Sequence, residues 1–512
     1  MKRSCGIYAT GIISAHLLII GIALLVAQVF PTLFEKRLKS NIVLKNGSDV
    51  FKAWENPPPP VYIQFFFFNV TNSEDILQGK KPSVTQVGPY TYREYRPRVN
   101  VTFLENGTKV AALSPKTFVF QPDMSAGDPE IDQVTTVNIP AVTVMELTKS
   151  SFTSLVIFFM MNVYGVEVFA THTVHELLWG FKDPLLSKLH YVKPEVDEYF
   201  GLMYKKNGTS DGDFVFKSGE DDYKDFGKIF TWNGQSTLKW WSSNESNMIN
   251  GTDGSTFHPL ISKDELLYIF AADLCRSIYI AFEKDVEVKG IPAYRFAPPS
   301  EVLAAPEKNP SNAGFCVPSG ACLGAGVLKV SVCRNDAPVV VSFPHFFQAD
   351  QKYIDAIEGM HPNKEDHETY LDVNPLTGFP VRGCKRAQLN IILDKYDAFP
   401  QTKLLNQTIF PIMFINESVI IDDKSAQNIR TLLLIATIVT NFPLIIVGLG
   451  VLMLCILIIL LLRARQQKKA TTRDDMVYTQ VAEKQEENCK SNHKENSQSK
   501  MVSFISMTQI EH

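Results

Sequence analysis

Two long runs without charged residues lie near the two ends of the chain and constrain its fold more than any other feature. No Asp, Glu, Lys or Arg lies between Arg3 and Glu35, or between Arg430 and Arg463. About 20 consecutive apolar residues suffice for a helix to cross the hydrocarbon of a bilayer. We therefore predict transmembrane helices over residues 6–30 and 431–462. A cleaved signal peptide is the alternative for the first run. The run is, however, longer than the roughly 7–15 apolar residues in the core of such peptides.

Basic residues beside the two runs predict the topology. Lys2 and Arg3 precede the first run, and four basic residues between Arg463 and Lys469 follow the second. Because Lys and Arg are enriched on the cytosolic side, both termini, residues 1–5 and 463–512, are predicted to be cytosolic. Residues 31–430 then form one luminal or extracellular domain.

Glycosylation sequons agree with this topology. The pattern Asn-x-Ser/Thr, with x other than Pro, occurs only within the predicted ectodomain, at Asn46, Asn69, Asn100, Asn106, Asn207, Asn244, Asn250, Asn406 and Asn416. Each match alone is a weak signal, but all lie on one predicted side. A third apolar run, residues 150–166, reaches only the lower limit for a span and lies between sequons. We therefore predict that this run is an ectodomain helix.

The ectodomain pattern predicts an α+β fold. Runs rich in β-branched and aromatic residues predict strands over residues 61–70, 117–121, 326–333, 337–343 and 387–393. Helical signals, including His172–Phe181, cluster in an insert at about residues 138–190. This order favours a mostly antiparallel sheet with a helical insert.

The cysteines fit an oxidising compartment. Five lie in the predicted ectodomain, at Cys275, Cys316, Cys322, Cys333 and Cys384. The sequence alone does not fix their pairing. The ends of the turn Cys316–Cys322 could meet, and pairing Cys275 with Cys333 would close a long loop worth about 4 kcal/mol. Cys384 would then be unpaired, and a buried inert thiol is the favoured interpretation.

One further cysteine, Cys5, lies at the predicted cytosolic edge of the first span. It is a candidate for S-palmitoylation, and an unmodified cysteine at the membrane edge is the equal alternative.

Motifs for covalent chemistry are missing from the sequence. His172, His175 and Glu176 do not match the H-E-x-x-H zinc pattern in either direction, and His361 and His367 are interpreted as parts of a polar loop. We predict no catalytic residue, no metal and no cofactor, and hence a protein that is not an enzyme. The net charge of −4 disfavours nucleic acid as a partner.

Three histidines could sense pH. His172, His175 and His190 lie close together in the helical insert. Imidazole changes charge between neutral and acidic compartments, so a pH-gated contact surface is one interpretation. Three ordinary histidines on helix surfaces are the other.

Long ordered segments of the ectodomain resemble the class B scavenger receptor family, and one of them favours its lysosomal branch. The segments lie at residues 86–95, 172–183, 204–216, 247–254, 273–279, 312–328, 342–346 and 359–378. The segment at residues 312–328, with the sequence NAGFCVPSGACLGAGVL, is the one that favours the lysosomal branch.

The resemblance implies a fold and a transport function. The fold is an antiparallel β-barrel-like ectodomain with a helical bundle at the apex, and a tunnel carries sterol or other lipid towards the bilayer. The implied disulfides are Cys275–Cys333 and Cys316–Cys322. Members bind protein or lipoprotein partners at the apical helices; in the lysosomal branch the partner is β-glucocerebrosidase, which is released on acidification.

The chain departs from the lysosomal branch in two places. The position of a pH-linked apical histidine is occupied by Ser151, and the helix that follows is apolar. Its side chains suit a lipid or hydrophobic partner, or equally the buried side of a bundle: Phe152, Leu155, Phe158, Phe159 and Met160. The tail lacks an acidic dileucine signal, and Tyr478 to Val481 instead resembles a tyrosine-based signal for cytosolic sorting adaptors.

The resulting prediction is a glycoprotein with two membrane spans that resides in late endosomes and lysosomes, binds sterol or phospholipid and conducts it to the bilayer. Two alternatives stay open. One is a receptor that escorts a luminal hydrolase such as β-glucocerebrosidase. The other is a plasma-membrane scavenger receptor for lipoproteins.

Overall fold

Long apolar helices lie at both ends of the chain in the computed structural model, which describes residues 2–149 and 152–505. Two segments, Gly6–Val26 and Phe442–Lys490, are long and apolar enough to cross a membrane. The helices are α1 (Lys2–Val26), α2 (Val29–Asn41), α3 (Asp49–Glu55), α4 (Ser73–Leu77), α5 (Ile139–Thr148), α6 (Thr153–Tyr164), α7 (Val174–Trp179), α8 (Pro184–Val192), α9 (Gln351–Asp355), α10 (Lys364–His367), α11 (Asp423–Thr440) and α12 (Phe442–Ile505).

The region predicted as the second span is divided in the structure. Asn441 separates α11 from α12. Pro443 lies in the first turn of α12. Backbone N–H groups in a first turn have no carbonyl acceptor within the helix, so a proline, which lacks the N–H, is tolerated there. The bounds of both membrane spans stay predictions.

The chain forms two compact units. One contains residues up to Lys36 together with those from Leu434 onwards, and the other is Arg37–Leu433. In the first unit α1 packs against α12, and Ser14 Oγ donates a hydrogen bond of 3.0 Å to the carbonyl of Gly450.

The second unit is built on strands. They are β1 (Val61–Val70), β2 (Val84–Tyr95), β3 (Val99–Leu104), β4 (Lys109–Leu113), β5 (Pro115–Phe120), β6 (Gln133–Val137), β7 (Phe169–Thr173), β8 (Phe181–Lys182), β9 (Tyr199–Phe200), β10 (Thr209–Ser210), β11 (Phe214–Lys217), β12 (Ile229–Trp232), β13 (Leu267–Ala271), β14 (Arg276–Val288), β15 (Ile291–Ala297), β16 (Val327–Lys329), β17 (Val339–Ser342), β18 (Tyr370–Val373), β19 (Pro380–Leu393) and β20 (Thr408–Ile420).

One antiparallel sheet of 12 strands dominates this unit. Its main order is β10-β5-β2-β1-β20-β19-β18-β15-β14-β13, and β17 joins β16 to β19. The aromatic and β-branched run of β1 suits its central position, because such side chains pack well on a pleated surface. A second sheet has the order β12-β11-β4-β3. The predicted α+β fold with an antiparallel sheet between two apolar helices is confirmed.

The helical insert differs in detail from the prediction. His172 was expected in a helix with His175, but it lies in β7, which pairs with β6. The helix α7 begins after Thr173 because a capping box starts it there. Glu176 N–H donates to Thr173 Oγ1 at 3.1 Å, and Thr173 N–H donates to Glu176 Oε2 at 3.0 Å.

Candidate functional site

One face of the large sheet carries apolar side chains that are not fully covered. On β19 the side chains of Gln388 and Asn390 are fully buried, whereas Ala387 and Leu389, which point to the opposite face, are half-buried. Ile415 on β20 pairs with Ala387 and is also half-buried. Leu389 and Ile415 pack against an apolar cluster on one side, and all three apolar side chains keep part of their surface accessible.

This face is the concave one. Lys385 Nζ on β19 lies 2.9 Å from Asp273 Oδ2, which belongs to the turn before β14. Two strands, β18 and β15, separate β19 from β14 in the sheet order. A direct ion pair across them requires the sheet to curl around this face, which we call the concave face.

Farther along the same strands the concave face is covered by a packed apolar cluster. It combines residues of β1, β2, β5 and β20 with β6 and α7: Ile63, Phe65, Phe67, Tyr90, Tyr92, Phe118, Met413, Val134, Val174, Leu177 and Leu178. Trp179 at the end of α7 packs against it, and its Nε1–H donates to Tyr92 Oη at 3.1 Å. The indole N–H of Trp179 is therefore hydrogen-bonded, and the indole ring packs beside the apolar cluster.

The opposite end of the concave face carries charges, which we call the ionic cluster: Glu94, Arg96, Lys116, Asp211, Asp273, Lys385 and Glu417. Glu417 on β20 pairs directly with Lys385 on β19. Arg96 Nη1 donates to Glu417 Oε1 at 2.7 Å and lies 3.8 Å from Glu94 Oε1. Lys116 Nζ lies 2.8 Å from Asp211 Oδ2.

Mutual attraction keeps most of the ionic cluster charged in spite of burial. Burial alone would raise the pKa of Glu417, but Arg96 and Lys385 lower it to about 2. Burial alone would lower the pKa of Lys116, but neighbouring carboxylates, Asp273 first among them, raise it above its usual value. Glu94 is the exception, because burial and the negative charge of Glu417 both raise its pKa.

A second polar group lies on the other face of the same strands. The imidazoles of His345 and His367 are buried and stacked with ring centroids 4.5 Å apart. His345 Nδ1 accepts a hydrogen bond of 3.1 Å from the N–H of His361, and His367 Nδ1 accepts one of 2.9 Å from Asn363. Both imidazoles therefore carry their proton on Nε2, and His345 Nε2 lies 2.7 Å from Gln86 Oε1.

The environment of this pair disfavours a positive charge. Burial and the neighbouring imidazoles of His367 and His361 lower the pKa of His345 to about 4. Burial, assisted by Arg386, lowers the pKa of His367 to about 4, against the opposing charge of Asp366. The interpretation of His367 as part of a polar loop was wrong, because its ring packs beneath the loop against the sheet.

The apolar helix α6 divides its side chains between the core and the solvent. Ser154, Ile157 and Met161 are buried, and Phe158 and Met160 are half-buried against the core. The exposed side chains form one stripe at helical spacing, which we call the α6 stripe: Phe152, Leu155, Val156, Phe159 and Val163. Ser151 lies outside the described residues.

The three candidate pH-sensing histidines contact different carboxylates. His172 Nδ1 lies 3.5 Å from Glu176 Oε2, and His175 Nδ1 lies 2.8 Å from Glu130 Oε1. His190 Nε2 lies 3.8 Å from Glu198 Oε1. Their role in sensing pH stays a prediction.

Both disulfides that the resemblance implies are present. Cys275 is bonded to Cys333 and Cys316 to Cys322. Cys384 is a free thiol, half-buried, with its Sγ 3.5 Å from Tyr370 Oη.

The sequon asparagines differ in accessibility. Six are exposed: Asn46, Asn100, Asn106, Asn207, Asn244 and Asn406. Asn69, Asn250 and Asn416 are half-buried. In Asn416, Nδ2 donates to Gln64 Oε1 at 2.9 Å and Oδ1 accepts from Arg386 Nε at 3.2 Å. Glycan attachment to Nδ2 of Asn416 would compete with this hydrogen bond.

The residues predicted to serve in sorting and palmitoylation lie on the terminal helices. Tyr478 and Val481 are exposed on α12, and Cys5 lies in α1. Their roles in sorting and palmitoylation stay predictions.

Sequence reasoning missed the ionic cluster and the histidine pair. The signal for the former was present as charges at alternate positions of strand-like runs, Glu94 and Arg96 in one run and Lys385 in another. Side chains at alternate positions of one strand share a face of the sheet. The pattern does not show which charged side chains of distant strands come together in space.

The sequence matches known proteins over most of its length. A family model described as the CD36 family matches residues 12–461. Human lysosome membrane protein 2 is 51% identical over 451 residues, which cover 88% of this chain and 94% of that protein, and the Rattus norvegicus protein shows the same values. Scavenger receptor class B member 1 of Sus scrofa is 31% identical over 454 residues, 88% of each chain.

Proposed function

This chain belongs to the CD36 family, and from that premise we propose that it is a receptor of late endosomal and lysosomal membranes that binds lipid and conducts it to the bilayer. The similar proteins are named as lysosome membrane proteins and scavenger receptors. Two apolar terminal helices bracket a sheet-rich ectodomain, as a membrane-anchored receptor requires.

The half-buried apolar side chains of the concave face carry this proposal. Ala387, Leu389 and Ile415 keep part of their apolar surface accessible although they lie on central strands. Transfer of apolar surface out of water is favourable by about 25 cal/mol per Å². A lipid that covers these side chains removes apolar surface from water on both partners, so the concave face is suited to shelter it.

The experiment is lipid transfer by the full chain reconstituted in vesicles. We expect a fluorescent sterol to reach acceptor bilayers faster than in protein-free vesicles. Ala387→Trp, which places an indole on the concave face, should lower the rate to that of protein-free vesicles. Val119→Trp, at an exposed position of β5, is the control and should keep the wild-type rate. Equal transfer by Ala387→Trp and wild type would refute conduction along this face.

A second candidate function, escort of a luminal hydrolase, is favoured by the α6 stripe. Exposed apolar patches of this kind mark interaction surfaces more often than scattered single residues do. The expected partner surface is apolar, and β-glucocerebrosidase is the partner implied by the resemblance.

Capture of β-glucocerebrosidase at neutral and acidic pH tests the escort function. Phe159→Asp should abolish capture, because a carboxylate replaces an aromatic contact, and lipid transfer should be unchanged. Tyr191→Asp on α8, also exposed, is the matched control. Wild-type protein that captures no hydrolase at either pH would eliminate this second function and leave the first untouched.

We also propose the topology derived from the sequence, with residues 31–430 luminal and both termini cytosolic. The exposure of Tyr478 and Val481 supports their recognition by sorting adaptors.

A further inference from the structure

The part of α12 that follows the predicted second span changes the sign of its charge along the helix. The charged residues from position 463 to position 473 are all basic: Arg463, Arg465, Lys468, Lys469 and Arg473. From Asp474 to Glu487 the charged residues are mostly acidic. Both stretches belong to one continuous helix, Phe442–Ile505, so the basic stretch is the one next to the predicted span.

Four of these residues share one side of the helix, which we call the basic face: Arg465, Lys468, Lys469 and Arg473. Arg465, Lys469 and Arg473 form a row at spacings of four, and Lys468 lies beside that row. At 3.6 residues per turn the four positions occupy an arc of about 140°. All four side chains are exposed.

Acidic neighbours do not neutralise the basic face among the side chains that the structure describes. The ion pair found between residues 463 and 490 joins Lys490 Nζ and Glu486 Oε1 at 3.5 Å, far beyond the basic face. Like charges at helical spacing repel one another. The basic face is therefore suited to a ligand that brings several negative charges.

The basic face lies within reach of the bilayer surface. With the predicted span ending at Leu462, Arg465 and Lys469 lie about 5 and 10 Å farther along the axis at 1.5 Å per residue. These distances are comparable with the Debye length of about 8 Å at physiological ionic strength. Side chains on a helix also lean towards its N-terminus, which for α12 is the side of the membrane. The charged groups therefore extend back towards the lipid headgroups.

We propose that the basic face of α12 binds lipids of the cytosolic leaflet whose headgroups carry several phosphates, as phosphorylated phosphatidylinositols do. Lysine binds phosphate as a point charge and arginine through paired N–H donors. Clusters of about four to eight basic residues directly after a span are typical of such binding. The inference rests on the proposed topology and is independent of lipid conduction along the concave face.

The common face separates lipid binding from a role in topology alone. The positive-inside rule depends on the number of Lys and Arg residues near the end of a span and not on the side of the helix that carries them. A bound headgroup, in contrast, requires basic side chains that converge. A negative charge added to the basic face should therefore weaken lipid binding more than the same charge added elsewhere on the helix.

Photo-cross-linking in vesicles tests the proposal on the full chain. The chain is reconstituted in phosphatidylcholine vesicles that contain a small fraction of one lipid with a photoactivatable acyl chain. The three probes are a phosphatidylinositol bisphosphate, phosphatidylserine and phosphatidylcholine. We expect the bisphosphate to label α12 at least about fivefold more than phosphatidylcholine, with phosphatidylserine between them. High salt should remove most of this excess.

Thr472 offers a substitution that keeps every basic residue. It follows Lys468 by four positions and Lys469 by three, and its Oγ1 donates to the carbonyl of Lys468 at 2.8 Å. Thr472→Glu should lower the excess labelling at least about threefold, because its carboxylate neighbours two bases of the basic face. Thr471→Glu adds the same charge about 100° around the helix, and this matched control should keep most of the excess.

Removal of one base gives a second test. Lys469→Gln should lower the excess labelling about twofold or more, and Lys469→Arg should retain it, because the charge remains. Lys490→Gln removes a lysine of the same helix far from the predicted span and should label as wild type does.

Cys489, an exposed free thiol on α12, tests the topology separately. An impermeant maleimide should label it only after selective permeabilisation of the plasma membrane. Labelling in intact cells would refute the proposed topology. A cytosolic Cys489 combined with equal labelling by the three lipids would refute this inference alone.

Two further results would overturn the inference. Equal losses in Thr471→Glu and Thr472→Glu would show a response to net charge and not binding at the basic face. Soluble inositol trisphosphate that abolished lipid labelling at the same total concentration as the lipid would assign the basic face to soluble anions.

Discussion

At the residue scale, the stacked pair of His345 and His367 makes stability depend on acidity. Both imidazoles have their pKa lowered from 6.5 to about 4 in the folded chain, chiefly by burial. The unfolded chain therefore binds more protons between these values, and stability falls as the pH decreases from about 6.5 to 4. The slope is up to about 1.4 kcal/mol per pH unit for each imidazole.

Thermal unfolding of the full chain between pH 7 and pH 4 measures this effect. His367→Phe keeps a flat ring without a titrating group, and we expect its midpoint to fall less steeply with acid than that of wild type. Val119→Phe places an aromatic ring at an exposed position of β5 without changing a titrating group and should follow the wild-type curve. A His367→Phe curve parallel to wild type would refute the role of the pair.

A second prediction at this scale separates two sequon residues. Asn46 is exposed, whereas the amide of Asn416 bridges Gln64 and Arg386 across three strands. Asn46→Gln should reduce the mass of the glycoprotein by one glycan without loss of stability. Asn416→Ala should remove no glycan from the glycoprotein. It should destabilise the fold by about 1–3 kcal/mol, because Gln64 and Arg386 lose their hydrogen bonds to the Asn416 amide. A mass decrease in Asn416→Ala would contradict this assignment.

At the element scale, close packing of α1 against α12 depends on glycine. A Cβ atom on Gly21 would lie 2.7 Å from Val447 Cγ2 and 3.0 Å from the backbone nitrogen of Val447. Gly21→Leu should therefore push the helices apart, at about 1–3 kcal/mol for overpacking. The readout is disulfide cross-linking between Gly11→Cys and Leu457→Cys, because a Cβ atom on Gly11 would lie in ordinary contact with Leu457, 3.4 Å from its Cδ2.

Gly448 supplies the control for this prediction. A Cβ there has no neighbouring atom within 4 Å, so Gly448→Leu should cross-link as efficiently as the parent. Undiminished cross-linking in Gly21→Leu would show that these helices do not pack closely in the membrane.

Elements were predictable from sequence where local pattern determines them. The run from Val61 to Val70 was predicted with the bounds of β1, because aromatic and β-branched residues between turn residues act locally. Residues 326–333 were predicted as one strand, but only Val327–Lys329 is a strand and a short helical turn covers Ser331–Cys333. Cys333 in that turn is bonded to Cys275, 58 residues earlier in the chain. A local sequence pattern cannot predict the effect of a bond to so distant a residue.

At the scale of the whole molecule, the candidate site depends on contacts between distant parts of the chain. The central pairing of β1 with β20 joins the beginning and end of the ectodomain, and Lys385 meets Asp273 only because the sheet curls. Alternation within one strand predicts which side chains share a face. It does not predict which strands are neighbours, so the charged and apolar ends of the concave face follow from the structure alone.

The central claim is that lipid lies on the concave face on its way to the bilayer, and photo-cross-linking tests it most directly. A full chain in native membranes is irradiated with a photoactivatable sterol and with a photoactivatable phospholipid, and the labelled peptides are sequenced. We expect labels on β19 and β20, at or beside Ala387, Leu389 and Ile415. Labels confined to the α6 stripe or to α1 and α12 would contradict the account.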